Sequence, residues 1–392
     1  MNTVASHRIQ SIDILRGVVM VLMALDHVRD FYHLGGMTSD PANMDTTTPL
    51  LFFTRFITHF CAPVFIFLAG TSAYLYGQKR TKKELSYFLW TRGLWLIIIE
   101  ITINTFLWWF DPSFGFINLQ VLWAIGICMI LLAGLIHLPK KAIIVFGLLL
   151  VFGHNALDSI TSENSGLGVF WAFLHELSFT SLGSRWVSIS YPIIPWVGVM
   201  SLGYVFGELY KKGSNPKFRQ KWLMGLGLTS IALFFVLRGL NIYGDLVPWS
   251  IQKNTTYTIL SFFNVAKYPP SLAFLLITLG PAFLFLKGIE KVQNRISNFF
   301  IVFGRVPFFY YLLHMLVLHL AALLALVAMG KDWTLMVFTQ ENFTNPDLAN
   351  YGYSLGVVYL VWIGVVIICY PICKKYMKYK ADNKHKKWLS YL

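Results

Sequence analysis

The chain has 392 residues, of which 56% are hydrophobic and only 13% are charged. This composition excludes an ordinary soluble protein and predicts a polytopic membrane protein of the all-α class. The formal net charge is +14, but the basic residues lie between apolar runs and form no polar patches interleaved with aromatic residues. A nucleic-acid partner is therefore not expected.

Apolar stretches long enough to cross a bilayer recur along the whole chain. They predict about ten transmembrane helices in a single membrane domain, residues 1–392, at 12–32, 50–78, 86–110, 117–138, 140–157, 190–210, 222–240, 269–287, 298–328 and 351–373. If the N-terminus is cytoplasmic, 25 of the 32 Lys and Arg residues lie on the inner side, as the positive-inside rule favours. We therefore expect both termini in the cytoplasm and an integral protein of the plasma (inner) membrane.

The first predicted helix carries ionisable residues at both of its ends. Arg16 and His27 are eleven residues apart, so both leave one face of the helix, about 16 Å apart along its axis. The far end holds further ionisable residues: Asp26, Arg29, Asp30 and His33. Ionisable residues at this depth indicate a functional site. The alternative is that Arg16 snorkels to the headgroups and that the far cluster is the hydrated end of the helix.

The second predicted helix begins with Arg55 and His59, which are one turn apart on one face. These two side chains are either a second wall of the outer site or an interfacial anchor.

In the third helix, Glu100 and Asn104 share a face in mid-span. That spacing predicts a buried Glu that is paired or protonated, or a hydrogen bond between helices.

The loop 155–189 contains an apolar run that is too short to span a membrane and is predicted to lie at the interface or to re-enter it. Its His175 and Glu176 are candidate substrate contacts. Aromatic residues near predicted outer boundaries, Trp108 and Tyr191 among them, are mostly anchors, although one or two could line a saccharide site. No metal site is predicted, because the four cysteines have no His or carboxylate neighbours at ligand spacing.

Several segments share the pattern of a known family. They are Asp13-x-x-Arg16-Gly17 with the Arg16-x10-His27 spacing, Ala62-Pro63-Val64-Phe65 with Phe67-Leu68-Ala69-Gly70, Tyr191-Pro192-Ile-Ile-Pro195-Trp196, and Gly304-Arg305 through His314. The sequence resembles the heparan-alpha-glucosaminide N-acetyltransferase-like family of the transmembrane acyltransferase superfamily. It is also similar to the related bacterial membrane O-acyltransferases (acyltransferase family 3), whose recurrent motif is an Arg or Lys, ten residues and then a His.

This resemblance implies a multi-pass membrane acyltransferase that moves an acetyl group from cytoplasmic acetyl-CoA, its donor, to an extracytoplasmic sugar. The acceptor is either the amino group of a glucosamine-type sugar or a glycan hydroxyl. The resemblance implies that Arg16, Arg305 and His314 contact the cofactor. The candidate contacts for the acceptor are Arg29, Arg55 and His59.

His27 is the candidate catalytic residue, either as a general base or as a transient acetyl carrier. Asp30, or Asp26 after local unwinding of the helix, is expected to orient its imidazole. His33 is the alternative, because it could be the counterpart of the functional histidine in eukaryotic members of the family. The Arg16-x10-His27 spacing favours His27.

A second class of function, a proton-coupled small-solute transporter, also places ionisable residues at membrane depth. The inverted repeat expected of such a transporter is not evident in the sequence. A scaffold protein would leave the charged cluster unexplained. The sequence leaves open whether the chain acts alone or as a homodimer.

Overall fold

A computed structural model describes residues 9–343 and 345–391. Its helices are α1 (Gln10–Tyr32), α2 (Pro49–Thr58), α3 (Cys61–Gly77), α4 (Lys82–Ile99), α5 (Thr105–Trp109), α6 (Val121–Leu135), α7 (Lys140–Gly153), α8 (Val169–His175), α9 (Ile193–Phe206), α10 (Pro216–Leu240), α11 (Thr255–Phe263), α12 (Leu272–Gly288), α13 (Arg295–Arg305), α14 (Pro307–Ala328), α15 (Gln340–Phe343), α16 (Pro346–Ala349) and α17 (Leu355–Asp382). A π-helical turn at Glu100–Asn104 joins α4 to α5. Short 3₁₀ turns lie at His154–Leu157, Gly207–Tyr210, Trp333–Met336 and Lys387–Ser390.

Within the described ranges, seven helical segments are long and apolar enough to cross a membrane. They are Pro49–Gly77, which contains α2 and α3, Lys82–Trp109, Lys140–Leu157, Ile193–Tyr210, Pro216–Leu240, Pro307–Ala328 and Leu355–Asp382. The helices α6 and α12 are apolar but shorter. The prediction of a helical membrane protein is thus confirmed, whereas ten crossings and the cytoplasmic placement of both termini stay predictions.

The helix α1 lies inside the protein. Of its 23 residues, 18 are buried, and it packs against α3, α13, α14 and α17. Its charged residues, such as Asp13 and Asp26, therefore face other helices. Ionisable side chains at membrane depth are tolerated in such positions because partners there replace the water that they lose.

Two glycines let α1 and α13 touch backbone to backbone. A Cβ atom on Gly17 would lie 1.9 Å from the carbonyl oxygen of Phe300, and one on Gly304 would lie 1.8 Å from that of Asp13. Only glycine fits at such a crossing, as at other small-residue helix contacts. The residue next to each glycine, Arg16 or Arg305, is consequently carried to the same end of the bundle.

The predicted ninth span, 298–328, is interrupted. Helix α13 ends at Arg305, Val306 is not helical (φ −132°, ψ 48°), and α14 begins at Pro307. Proline fits the first position of a helix because its missing N–H would have no partner there, and it disfavours helical geometry in the residue before it. The break resets the helical phase, so that Arg305 and His314 contact opposite ends of α1.

A small three-stranded sheet lies beside the helices. The described strands are β1 (Phe116–Leu119), β2 (Ser178–Leu182) and β3 (Arg185–Ile189), in the order β1-β3-β2. β3 pairs in parallel with β1, with Phe116 opposite Trp186, and antiparallel with β2. Gly183, at φ +63°, makes the tight turn between β2 and β3. The strands are short and lie in the connections between helices, where hydropathy alone carries no signal for them.

Candidate active site

A cavity of about 440 Å³ lies beside the C-terminal end of α1. Its volume is in the range of small-molecule sites. Its ionisable lining residues include Asp26, His27, Arg29, Asp30, Arg55 and Lys267. Its aromatic lining residues include Phe65, Trp108, Phe179, Tyr191, Tyr268 and Tyr311. The C-terminal end of α1 therefore faces a ligand-sized space.

His27 is paired with His314. The His27 Nδ1 atom lies 2.8 Å from His314 Nε2, and the two rings are nearly parallel, with centroids 5.1 Å apart. Both side chains are buried. The sequence placed His314 with Arg305 among the cofactor contacts, whereas the structure brings it to the opposite end of α1.

The backbone determines which nitrogen atoms of this pair carry protons. His314 Nδ1 lies 2.8 Å from the carbonyl oxygen of Tyr310, and a carbonyl oxygen only accepts, so this nitrogen is the donor. In neutral His314, Nε2 is then the acceptor for a proton on His27 Nδ1. The hydrogen-bond pattern thus assigns the lone pair of neutral His27 to Nε2. A histidine held in this tautomer by its other nitrogen is arranged as a general base.

Asp26 is the centre of an ionic network. Its carboxylate lies 2.7 Å from Arg29, 2.8 Å from Arg55 and 3.7 Å from Lys267. The hydroxyl of Thr58 also donates to it, at 2.8 Å. These contacts join α1 to α2 and to the segment before α12. The carboxylate therefore neutralises the buried Arg29 and two partly buried cations. The partner of His27 Nδ1 is His314.

The other residues predicted for this end take different positions. Asp30 pairs with Arg29 at 2.6 Å. His33 caps α1 and forms a backbone bridge with Tyr353, and partial burial lowers the pKa of its side chain. His59 is buried against Phe274, with ring centroids 5.3 Å apart. Of the two histidines considered for catalysis, His27 lines the cavity.

Two hydrogen-bond donors of the cavity wall lie close to His27. The Trp108 ring centroid is 5.0 Å from that of His27, and the Tyr311 centroid is 6.0 Å away. Within the described part of the chain, neither the Trp108 Nε1 atom nor the Tyr311 hydroxyl makes a hydrogen bond of ordinary geometry, and the polar neighbours of the Tyr311 hydroxyl are Trp108 and Asn104. Buried donors without partners are rare and costly. They are consequently candidates for binding a ligand oxygen.

Arg16 and Arg305 meet at the other end of α1. Both guanidinium groups approach Asp13, at 3.5 Å and 3.4 Å. Arg16 also donates to the hydroxyl of Ser72 at 2.9 Å. The two arginines that the sequence singled out as cofactor contacts thus form one cationic group.

Sequence reasoning missed several cavity residues. Lys267 and Tyr311 drew no prediction, because a single lysine in a loop and a tyrosine in an apolar helix are ordinary features. Trp108 and Tyr191 belonged to the predicted aromatic belt, of which a few members were expected to line a saccharide site. The aromatic character of Trp108 and Tyr191 was the sequence signal for a role in the site. Only the packing of the helices shows which aromatic residues reach the cavity.

A known protein family matches the part of the chain that contains α1. Residues 8–244 match the model of the family described as heparan-alpha-glucosaminide N-acetyltransferase, catalytic. The chain belongs to this family. A search of curated proteins finds no match. As a member of the heparan-alpha-glucosaminide N-acetyltransferase family, the chain is an integral membrane acetyltransferase.

The matched region ends before Lys267, Arg305 and His314. These residues reach α1 from the second part of the chain, through α13, α14 and the loop before α12. The family match therefore includes His27, Trp108 and Arg55, while the partner of His27 comes from a segment outside it.

Proposed function

We propose that the protein transfers an acetyl group from cytoplasmic acetyl-CoA, through the bilayer, to the amino group of a glucosamine-type sugar at the outer face. The observation that carries the proposal is the His27–His314 pair at a cavity beside one end of α1, together with the Arg16–Arg305 group at the other end of that helix. The acceptor class follows from the family, whose description names a glucosaminide.

The Arg16–Arg305 group has the chemistry needed to bind acetyl-CoA, the acetyl donor. Coenzyme A carries phosphates, and guanidinium groups bind phosphate oxygens through pairs of charge-assisted hydrogen bonds. Arg16 and Arg305 lie together at the predicted inner end of α1. The axial distance from Arg16 to His27 is about 16 Å, which is comparable to the length of an extended pantetheine arm. A bound donor could thus present its thioester at the cavity.

The histidine pair suits the chemistry of acetyl transfer. The His27 Nε2 atom accepts a proton as the acceptor amine attacks the thioester carbonyl carbon, and His314 stabilises the imidazolium through the shared hydrogen bond. The carbon–sulfur bond then breaks, and the imidazolium returns the proton to the coenzyme A sulfur. In the acetyl-carrier variant of this mechanism, His27 Nε2 itself attacks and releases the thiol before the amine arrives.

The hydrogen-bond donors of Trp108 and Tyr311 are placed to stabilise the tetrahedral intermediate of acetyl transfer. Attack on a thioester places negative charge on the carbonyl oxygen, and fixed donors in a dry site stabilise that charge. Both donors lie beside His27, and neither makes a hydrogen bond of ordinary geometry to a described residue. Tyr191 and Tyr268 provide ring faces in the same cavity for a sugar, and the carboxylate of Asp30 provides a partner for its amine.

Vesicles test this function directly. Sealed membrane vesicles with the cytoplasmic side outward are loaded with a glucosamine-terminated oligosaccharide, and labelled acetyl-CoA is added outside. We expect one labelled amide inside for each free coenzyme A released outside. An alkali-labile ester would indicate a hydroxyl acceptor, and movement of solute without thioester consumption would indicate a transporter. Either result would overturn the proposal.

Replacing Arg16 by Ala should weaken the binding of acetyl-CoA by roughly 10- to 100-fold, because a hydrogen bond to a charged group contributes about 1.5–3 kcal/mol. Arg305 remains beside Asp13 in this variant, so the fold should persist. Isothermal titration with acetyl-CoA measures the change. Arg80→Ala is the control, because Arg80 is exposed, lies in the turn after α3 and donates to the carbonyl oxygen of Tyr76 in that helix. Equal affinity in the Arg16 variant and in wild type would contradict the cofactor role.

Replacing Tyr311 by Phe should lower kcat on the order of 100-fold, because loss of one oxyanion donor typically has an effect of that size. The ring that packs on His27 remains, and acetyl-CoA should bind as before. Tyr310→Phe is the matched control: its hydroxyl is also buried without a partner among the described residues, but it does not line the cavity. An equal loss of kcat in both variants would assign the effect to packing.

A further inference from the structure

A second cluster of side chains, separate from the cavity, has the composition of a metal site. We propose that His154, Asp158 and His175 bind a divalent transition-metal ion of the Zn²⁺ class. One potential ligand atom from each residue lies within 4.8 Å of the others. No metal site is predicted from the sequence, because that prediction rests on the surroundings of the four cysteines alone.

The three ligands come from two elements that pack together. His154 begins the 3₁₀ turn that follows α7, and Asp158 is the residue after that turn. His175 is the last residue of α8. The rings of His154 and His175 are nearly perpendicular, with centroids 5.4 Å apart. The fold therefore brings together residues that are up to 21 positions apart in the chain.

The unpaired ring nitrogens of this cluster are available to bind an ion. His154 is only 2% exposed, and neither of its ring nitrogens has a hydrogen-bond partner in residues 9–343 and 345–391. The same holds for Nδ1 of His175, which is 3% exposed. Buried polar atoms are normally satisfied, so each such atom calls for an explanation. A coordinated ion would give His154 the partner that the protein does not supply.

The donor set suits a transition metal. Two imidazoles and one carboxylate are preferred by Zn²⁺ and its neighbours over Ca²⁺ or Mg²⁺. Tetrahedral Zn²⁺ with bonds of about 2.1 Å separates its ligand atoms by roughly 3.4 Å. His175 Nε2 and Asp158 Oδ1 are hydrogen-bonded to each other at 3.1 Å, a distance close to this separation of ligand atoms. Three protein ligands would leave the fourth position of a tetrahedral ion for water.

The carboxylate of this cluster has an outer-shell contact of the kind that metal ligands need. The side-chain amide of Asn155 donates to the second carboxylate oxygen of Asp158, at 2.8 Å. Its oxygen accepts from the backbone N–H of Leu272, at 2.9 Å, at the start of α12. Groups of this kind orient the metal ligands. The ligands are thereby anchored to α7, α8 and α12 together.

The position of the cluster indicates a structural ion. His175 lies two residues before Leu177, and Leu177 and Phe179 line the cavity that contains His27. Coordination of His175 would hold this wall of the cavity on the helix bundle. The ion is expected to affect the stability of the protein. Its binding does not depend on the acetyl-transfer mechanism.

Zinc titration of the full-length protein tests the inference. Tag-free protein in detergent is stripped with a chelator and titrated with Zn²⁺ by calorimetry, and its thermal unfolding is followed with and without the ion. We expect one Zn²⁺ per chain and a rise in Tm of several degrees on loading. His154→Leu and His175→Leu should abolish both effects, and Asp158→Asn should weaken binding at least tenfold. His137→Leu, an exposed histidine between α6 and α7, is the control and should bind Zn²⁺ like wild type.

Two results would overturn the inference. One is stoichiometric binding that persists in the His154 and Asp158 variants, which would locate the ion elsewhere. The other is the lack of binding in wild type together with an unchanged or higher Tm for metal-free His154→Leu, as expected if His154 is only a buried histidine. Asp158→Asn preserves the volume of the side chain, so it keeps the test valid if a leucine variant does not fold.

Discussion

Replacing His27 by Ala should abolish acetyl transfer while acetyl-CoA still binds. A positioned general base typically contributes roughly 10²- to 10⁴-fold in rate, or about 3–5 kcal/mol of barrier. The variant removes the nitrogen that lines the cavity but leaves the arginine group at the other end of α1 unchanged. Release of free coenzyme A, measured beside acetyl-CoA affinity by calorimetry, separates the two functions.

Three accompanying measurements make this result specific. His33→Ala should be milder, because His33 caps the helix and pairs through its backbone with Tyr353. His314→Ala should lower kcat by less than His27→Ala does, since it removes the orienting partner but not the base. The wild-type rate should fall on the acid side as the imidazole becomes protonated, and this limb should be missing from any residual activity of the His27 variant. Wild-type turnover in His27→Ala with an inactive His33→Ala would reverse the assignment.

Replacing Asp26 by Asn should destabilise the protein by about 3–5 kcal/mol, the cost typical of breaking a buried ion pair by removing one partner. The change would leave Arg29 and Arg55 beside an uncharged amide, with Lys267 also nearby. All three cations contact this one carboxylate, although Arg29 also pairs with Asp30, so its loss affects all of them. Thermal unfolding in detergent measures the effect as a lowered Tm.

Asp30→Asn is the matched control for Asp26→Asn. It is the same change on the same helix, but Asp30 pairs only with Arg29 among the residues that the structure describes, and its side chain is 22% exposed. Its Tm should fall much less. If Asp26→Asn keeps the wild-type Tm and loses turnover, then Asp26 has the catalytic role that the sequence suggested, and the structural interpretation is wrong.

The helical architecture could be predicted from the sequence for a local reason. An apolar run of about 20 residues specifies a membrane helix whatever its neighbours are, and the helical period alone puts Arg16 and His27 on one face. The motif around these residues also indicated the family to which residues 8–244 belong. The strands β1 to β3 were missed because they are four or five residues long and because β1 pairs with a distant segment, with Phe116 opposite Trp186.

The composition of the candidate site depended on tertiary structure. His27 and His314 are 287 positions apart in the chain, and they meet because α13 ends at Arg305 and α14 starts in a new phase after Val306. The partners of Asp26 come likewise from α2 and from the loop before α12. Sequence alone determined which residues of α1 carry charge and that such charges need partners at membrane depth. Which groups become those partners was decided by how the helices pack, since contacts between distant segments leave no periodic signal in either one.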